Sequence, residues 1–567
     1  MYQELRQAWE ELTASGAQFE LEEVSVEGNS TLSYKNQVPS LREFWLASRR
    51  FGERDYLVYG NERLTYFDAH QQVANVANWL LDHGVMSGDR VAIAMRNYPE
   101  WMVAYWACVS IGVTCVGMNA WWATPELEYA IEDATPKTII VDQERLDQLL
   151  TLPEVVETLH VIAVRSESTD SQVVHWGSLI SGKTELPEVE VHSDSDACIF
   201  YTSGTTGRPK GAQLTHRGCV ANAMSLAFAN IVQAKATSLA NKDGDDKSRK
   251  EISEQAAALV ITPLFHVTAN NCVAHSMTMA GGKLVHMYKW EPGEALKLIE
   301  SEGITALSGV PVMARELISH PNFLSTDTSS LKSVGGGGAQ LQPDLVKKIE
   351  KTVASARPST GYGMTETCGI ITAIAADFFL DKPESAGPAM PCFEAQCFDD
   401  EGVPVESGEL GELWVRGAQV IRGYLNRPKE TSETITDGWL HTGDIARIDE
   451  EGFIYIVDRK KDMVLRGGEN VYCAEVETVI FEHPSVSEVS VFGVPDDRLG
   501  EEVGAAVYLK NGEAVTADEL RSFLDSRIAK HKIPKYVWFT QSPLPRNASG
   551  KFLKRELREK LELGDSS

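Results

Sequence analysis

Apolar and polar positions alternate in two rhythms along the first half of the chain. Over Thr65–Leu81, Val73, Val76 and Leu80 recur at helical spacing, and Gly84 ends the run. Asp89–Met95 (DRVAIAM) is a short apolar block, the pattern of a strand buried on both faces. Pro99 opens a second helix that stops near Gly112, Val113–Met118 predicts a strand, Pro125 opens a third helix, and Lys137–Asp142 predicts another strand. Strand and helix in alternation predict right-handed crossovers and a parallel sheet covered by helices. A second series of this kind is expected to begin at Asp196 (DACIFYTSG). It continues through Ala257–His266, Gly282–Met287 and Ile304–Pro311. Asn241–Gln255 is polar and has no apolar period, which predicts a solvated loop.

After about Val403 the rhythm shortens. Gly408–Gly417 and Glu451–Asn470 are glycine-punctuated, alternating stretches that suit antiparallel strands and hairpins. Past Lys461 the pattern predicts a helix over Ala474–Glu482, strands over Glu488–Val494 and Gly504–Leu509, a helix over Ala517–Lys530, and a basic tail. The expected architecture is a large α/β domain, residues 1–459, of helix-covered parallel sheets with a small β-barrel-like part. A smaller α+β domain, residues 460–567, follows.

Composition narrows the function. At 567 residues the chain exceeds what a single core supports, so more than one domain is required. There are 81 acidic against 53 basic residues, a formal net charge of -28, which disfavours nucleic acid and anionic lipid as partners. The first residues lack the basic-then-apolar pattern of a signal peptide, and no apolar run approaches the roughly 18 residues that span a bilayer. A cytoplasmic location is expected. None of the nine cysteines forms a CxxC pair, which predicts unbridged thiols in a reducing compartment.

The stretch Tyr201–His216, YTSGTTGRPKGAQLTH, carries the densest chemistry. A strand feeds into it and an apolar helix is expected directly after it. Gly204, Gly207 and Gly211 let backbone N–H groups approach a ligand. Thr202, Ser203, Thr205 and Thr206 add hydroxyls, and Lys210 adds a positive charge. This is the chemistry of a polyphosphate cradle. It is not a P-loop of the GxxxxGK[ST] kind: counted from Gly204, Pro209 stands at the second glycine position and Gly211 at the Ser/Thr position.

Tyr201–Gly211 resembles the phosphate-loop signature of the adenylate-forming (AMP-forming) acyl-CoA synthetase superfamily. Four further stretches resemble that family's motifs, in its order: GYGMTET (Gly361–Thr367), DGWLHTGDIARID (Asp437–Asp449), DRKKDMVLRGGENVYCAEVE (Asp458–Glu477) and PRNASGKFLKREL (Pro545–Leu557). The resemblance covers nearly the whole chain. It implies the adenylate-forming fold and a ligase that joins a carboxylic acid to AMP from ATP and then to a thiol, with ATP, Mg²⁺ and CoA required.

The resemblance also implies roles. Thr202, Ser203, Gly204, Thr205, Thr206, Gly207 and Lys210 would hold the outer phosphates. Gly337, Gly338 and Ala339, with Gly361, Tyr362, Gly363 and Met364, would line the adenine. Thr365 would bond the α-phosphate, and Glu366, with Thr206, would hold Mg²⁺. Asp444 would accept the ribose hydroxyls beside Arg459 and Ile456. Lys551 would reach the α-phosphate and the carboxylate. Lys461 matches the hinge of a mobile C-terminal domain, and Arg466, Gly467, Gly468 and Glu469 would line the path of CoA. The acyl pocket would be walled by His266, Asn270, Val310, Pro311, Gly336, Gly337 and Gly363, and His266 would gate it or contact the carboxylate. Where amino-acid-activating members carry Asp, this chain has His266, so a free α-amino acid is not expected. A medium- or long-chain fatty acid is expected, with an aryl acid as alternative. An acyl-AMP ligase loading a carrier protein is the runner-up. A nucleotide-binding scaffold without activity is disfavoured, because Lys551, Glu366 and Asp444 are all present. The family often has Pro at the position of Cys473. The expected partners are ATP, the acid and CoA, and a homodimer is allowed.

Overall fold

The computed structural model describes residues 2–202, 208–240, 255–339, 341–467, 469–547 and 550–561. Its contacts separate into two compact units. One comprises Met1–Glu394 with Arg416–Leu440, and the other Ala395–Val415 with His441–Ser567. The expected hinge residue Lys461 falls inside the second unit.

The first unit holds two eight-stranded sheets. In one, the strands run in the order Gly423–Tyr424, Lys210–Thr215, Asp196–Thr202, Thr114–Gly117, Arg90–Ala94, Thr138–Asp142, His160–Val164, Val173–His175. From Asp196–Thr202 to Val173–His175 all pairings are parallel; the two strands beyond Asp196–Thr202 are antiparallel additions. The apolar blocks read from the sequence are the buried centre: Ala92, Val116, Ile139, Val141, Val161 and Ile199 share one core. In the other sheet the order is Gly369–Ala375, Arg357–Met364, Ser333–Gly336, Ala306–Gly309, Ala257–Val260, Lys283–His286, Asp55–Tyr59, Glu62–Thr65. It is parallel except at its two edges. The helix Pro99–Ser110 is apolar nearly all round and almost wholly buried, and it packs against Arg90–Ala94 of the first sheet and Asp55–Tyr59 of the second.

Three expectations are corrected. The strand Asp196–Thr202 does not begin a second sheet; it completes the first, beside Thr114–Gly117. The glycine–hydroxyl stretch does not lead straight into a helix. Lys210–Thr215 returns as a strand paired with Asp196–Thr202, so the segment is the connection of a hairpin, and the helix His216–Ala240 follows only afterwards. Gly211, Ala212, Leu214 and Thr215 are buried along this return strand. The helix expected to reach Lys530 ends at Asp525, and the chain then turns into the strand Tyr536–Thr540.

In the second unit, strands Trp439–Ile448 and Phe453–Arg459 pair antiparallel. Beyond Lys461, a hairpin (Val464–Arg466 with Glu469–Val471) and the long antiparallel pair Val486–Asp496 and Gly500–Leu509 form a sheet, with Tyr536–Thr540 added in parallel. The helices Cys473–Phe481 and Ala517–Asp525 share one apolar core with this sheet, through Val476, Ile480, Leu520 and Leu524 against Val489, Val491, Val503 and Val507. Cys473 is buried at its helix start, where Asp458 accepts from the Ala474 N–H (3.3 Å) in the manner of a cap. All nine cysteines are unbridged thiols. Among the described residues no helix is long and apolar enough to cross a membrane.

Candidate functional site

Lys210 opens the return strand of the hairpin, opposite Thr202. Its ammonium lies 5.0 Å from the ring centre of Tyr424, on the short strand added to the hairpin's edge. The Tyr424 hydroxyl donates to Glu366 Oε1 at 2.7 Å. The sheet thus brings together a cation, an aromatic ring and a carboxylate drawn from three distant parts of the chain. Glu366 is 8 % exposed, so its carboxylate depends on partners inside the protein. Tyr424 was not among the expected residues; only its pairing with Ala212 across the sheet edge reveals it. Ser203, Gly204, Thr205, Thr206 and Gly207 lie outside the described residues.

Gly361, Tyr362, Gly363 and Met364 form the end of a strand that turns at Thr365–Thr367 and returns as Gly369–Ala375. The turn is tight. Thr367 Oγ1 accepts from the Met364 N–H (3.2 Å) and donates to the carbonyls of Met364 and Gly369. Any Cβ on Gly363 would stand 1.9 Å from the Gly369 carbonyl oxygen, so only glycine fits there. Thr365 and Glu366 sit at the head of this turn, both buried. Gly336 lies beside Thr360, whose hydroxyl donates to the Gly336 carbonyl at 3.0 Å. Gly337 donates its N–H to Gly309, and Gly338 and Ala339 are exposed just beyond.

The expected acyl-pocket residues come from neighbouring strand ends. Val310 caps the helix that Pro311 opens, directly after the strand Ala306–Gly309. His266 lies after the strand Ala257–Val260, with its Nδ1 accepting from the Thr268 N–H (3.2 Å). Thr268–Ala274 then forms one π-helical stretch, a rare backbone form frequent at functional sites. Asn270 lies on it, fully buried.

In the second unit, Asp444 and Arg459 stand opposite each other on paired strands and form an ion pair, Nε to Oδ1 3.0 Å. Asp444 is buried while Arg459 is partly exposed. Ile456 lies on the same strand, opposite Ala446. Burial pushes the neighbouring Asp458 carboxyl up to about 6, against the pull of Lys554. Lys461 is exposed in the turn that follows. Arg466 makes a two-pronged pair with Glu502, at 2.7 and 3.0 Å. Gly467 donates to the Leu499 carbonyl, Glu469 is exposed opposite Arg466, and Gly468 lies outside the described residues. Lys551 is exposed. Its N–H donates to Asn547 Oδ1 (2.9 Å), and the Asn547 N–H donates back to its carbonyl.

A family model described as AMP-binding enzyme matches residues 44–425, and one described as AMP-binding enzyme C-terminal domain matches 475–551. The chain belongs to the AMP-binding enzyme family. Among its relatives, a feruloyl-CoA synthase from an Amycolatopsis species is 35% identical over 503 residues, 88% of this chain and 95% of that one. A long-chain-fatty-acid–CoA ligase from Bacillus subtilis is 33% identical over 544 residues, covering 90% and 93%. Among solved structures, the Bacillus subtilis o-succinylbenzoate coenzyme A synthetase in complex with ATP and magnesium ion superposes with a TM-score of 0.75 at 29% identity, covering 92% of this chain and 100% of that one. The two sheets and the smaller α+β part are those of adenylate-forming enzymes.

Proposed function

We propose that the chain is an AMP-forming acid–CoA ligase. A carboxylate oxygen attacks the α-phosphorus of ATP, the bond to pyrophosphate breaks, and an acyl-adenylate forms. The CoA thiol then attacks the acyl carbon and AMP leaves. The meeting of Lys210, Tyr424 and Glu366 beside the glycine–hydroxyl hairpin is the observation that carries this reading, and the ligase names of the relatives support it.

The carboxylate is a weak nucleophile, so catalysis is chiefly positioning and charge stabilisation. Lys210, Thr202 and the hairpin connection hold the outer phosphates. Thr365 bonds the α-phosphate. Tyr362 and the Gly337–Ala339 backbone lie along the adenine. Among the described residues no group of three or more acidic, His or Cys side chains could hold a metal. Glu366, a buried carboxylate, would hold Mg²⁺ brought in by ATP, beside the substrate phosphates. When bound, Mg²⁺ neutralises charge across the phosphates. Asp444 accepts the ribose hydroxyls and is oriented by Arg459. Lys551 adds positive charge at the α-phosphate in the first step. A hinge at Lys461 and motion of residues 460–567 then bring Arg466–Glu469 to the thiol path, where Arg466 holds the loop through Glu502.

For the acid, an aryl or aryl-alkenoic carboxylate is the first reading. The feruloyl-CoA synthase relative supports this reading, and among the expected pocket glycines a Cβ at Gly336 would stand 2.9 Å from Leu341, while one at Gly337 would meet only the Gly361 carbonyl at 4.0 Å. A planar ring needs less depth than an alkyl chain. A medium- or long-chain fatty acid is the second reading, favoured by the Bacillus relative. The test is mass-spectrometric detection of acyl-CoA and AMP with ATP, Mg²⁺ and CoA over a panel of benzoic, hydroxycinnamic and fatty acids. A kcat/KM maximum on an aryl acid supports the first reading, and a maximum at one alkyl length replaces it with the second. Pyrophosphate with tightly bound acyl-AMP and no turnover on CoA would make the acceptor a carrier protein.

A further inference from the structure

The turn that carries Thr365 and Glu366 is strained. Cys368 has φ of +55° and Gly369 has +147°. Three buried amide side chains hold it in place. The Ile370 N–H donates to Asn222 Oδ1 at 2.9 Å, and Gln419 Nε2 donates to the Ile370 carbonyl at 2.9 Å. Asn271 Nδ2 donates to the Cys368 carbonyl at 2.9 Å. Asn222 and Asn271 are also joined, because Asn222 Nδ2 donates to the Asn271 carbonyl at 3.1 Å. The Asn271 side chain in turn accepts from Asn270 at 2.8 Å. All four amides are fully buried. Asn271 belongs to the π-helical stretch that follows His266. One bonded unit therefore runs from the segment facing the acid to the turn facing the α-phosphate.

We propose that Asn271, with Asn222, is a positioning residue for acyl adenylation: the pair locks the His266–Ala274 segment to the Thr365–Ile370 turn, so that the carboxylate and the α-phosphate are held in one frame. This rests on the function proposed above, which places those two segments at the two reactants. Within the π-helical stretch Thr268–Ala274, Asn271 reaches the Cys368 carbonyl with its side chain while its own carbonyl meets Asn222.

The test compares Asn271→Ala and Asn222→Ser with the unaltered chain. The two substitutions cut the same bridge from opposite sides, so loss of one to misfolding leaves the other. Acid-dependent ATP–pyrophosphate exchange is expected to lose about ten- to a hundred-fold in maximal rate, the scale of a misplacement near 1 Å, with KM for acid and for ATP within about threefold. In a Glu366→Gln background the Asn271→Ala loss should shrink below about threefold, because the amide acts through the turn. A purely structural role would give additive losses. Amide hydrogen exchange of Gly361–Ala375 needs no substrate. It should rise about tenfold or more in both variants, while the helix His216–Ala240 stays protected. Unchanged exchange in the turn, an unchanged maximal rate, or full additivity would overturn the proposal. If the unaltered chain shows no exchange with any acid, the proposed function fails, and the turn's hydrogen exchange still decides whether the bridge exists.

Discussion

Tyr424→Phe removes one hydroxyl and little else. The ring on which Lys210 rests remains, so the cation–ring contact at 5.0 Å survives, and what is lost is the donor to Glu366 Oε1 at 2.7 Å. Tyr424 is 8 % exposed, like Glu366, so bulk water does not take over the vacated position at no cost. A hydrogen bond to a charged group contributes about 1.5–3 kcal/mol. Were all of it expressed in the transition state, the maximal rate of ATP–pyrophosphate exchange would fall by roughly ten- to a hundred-fold. Because Glu366 is the protein's ligand for Mg²⁺ in this account, the Mg²⁺ concentration giving half-maximal rate should also rise. KM for the acid should stay put, since Tyr424 is not assigned to the acyl pocket. The assay is exchange of labelled pyrophosphate into ATP across a Mg²⁺ titration. A variant within twofold of the parent in rate, with the same Mg²⁺ dependence, would refute the assignment of Glu366 and of the Lys210–Tyr424–Glu366 group.

Gly363→Ala forces a methyl against the Gly369 carbonyl at 1.9 Å, so nucleotide binding by calorimetry should be lost and urea stability should fall by about 3 kcal/mol. His70, His216, His275 and His286 are each held down to about 3, chiefly by burial. A depressed histidine gives stability that is complete above pH about 6.5 and lost as pH falls, because unfolding then takes up a proton. With all four contributing, the slope approaches about 5 kcal/mol per pH unit below pH about 6, so urea midpoints should drop steeply between pH 7 and pH about 5. A flat profile would contradict their burial in the neutral form. Lys551→Ala should suppress ATP–pyrophosphate exchange by about a hundred-fold or more while leaving conversion of supplied acyl-AMP to acyl-CoA within about threefold. Equal loss in both half-reactions would contradict its assignment to the first.

The elements that were legible in the chain were those whose apolar period is unambiguous. Asp89–Met95 and Lys137–Asp142 read as buried strands and form them, and Pro99 and Pro125 mark helix starts that the structure keeps within a residue. What periodicity does not encode is partnership. Nothing local to Asp55–Tyr59 says that it joins the second sheet beside Lys283–His286. The return strand Lys210–Thr215 was hidden because its six residues, KGAQLT, carry one large apolar side chain and no alternation, beside the long apolar helix that follows. The motifs could be read from the chain, whereas the contacts of Tyr424, Asn222 and Asn271 could not, because each partner lies far along the chain. The π-helical stretch, seven residues long, is too short for an apolar period to reveal it.

The central claim is that the acid's own carboxylate attacks the α-phosphorus of ATP. The decisive measurement uses a substrate acid labelled with ¹⁸O in both carboxyl oxygens, with ATP, Mg²⁺ and CoA, and mass spectrometry of the AMP released. The account predicts one ¹⁸O in the phosphate of AMP for every acyl-CoA formed. Acyl-CoA formed with unlabelled AMP, or with the label in released inorganic phosphate, would contradict it.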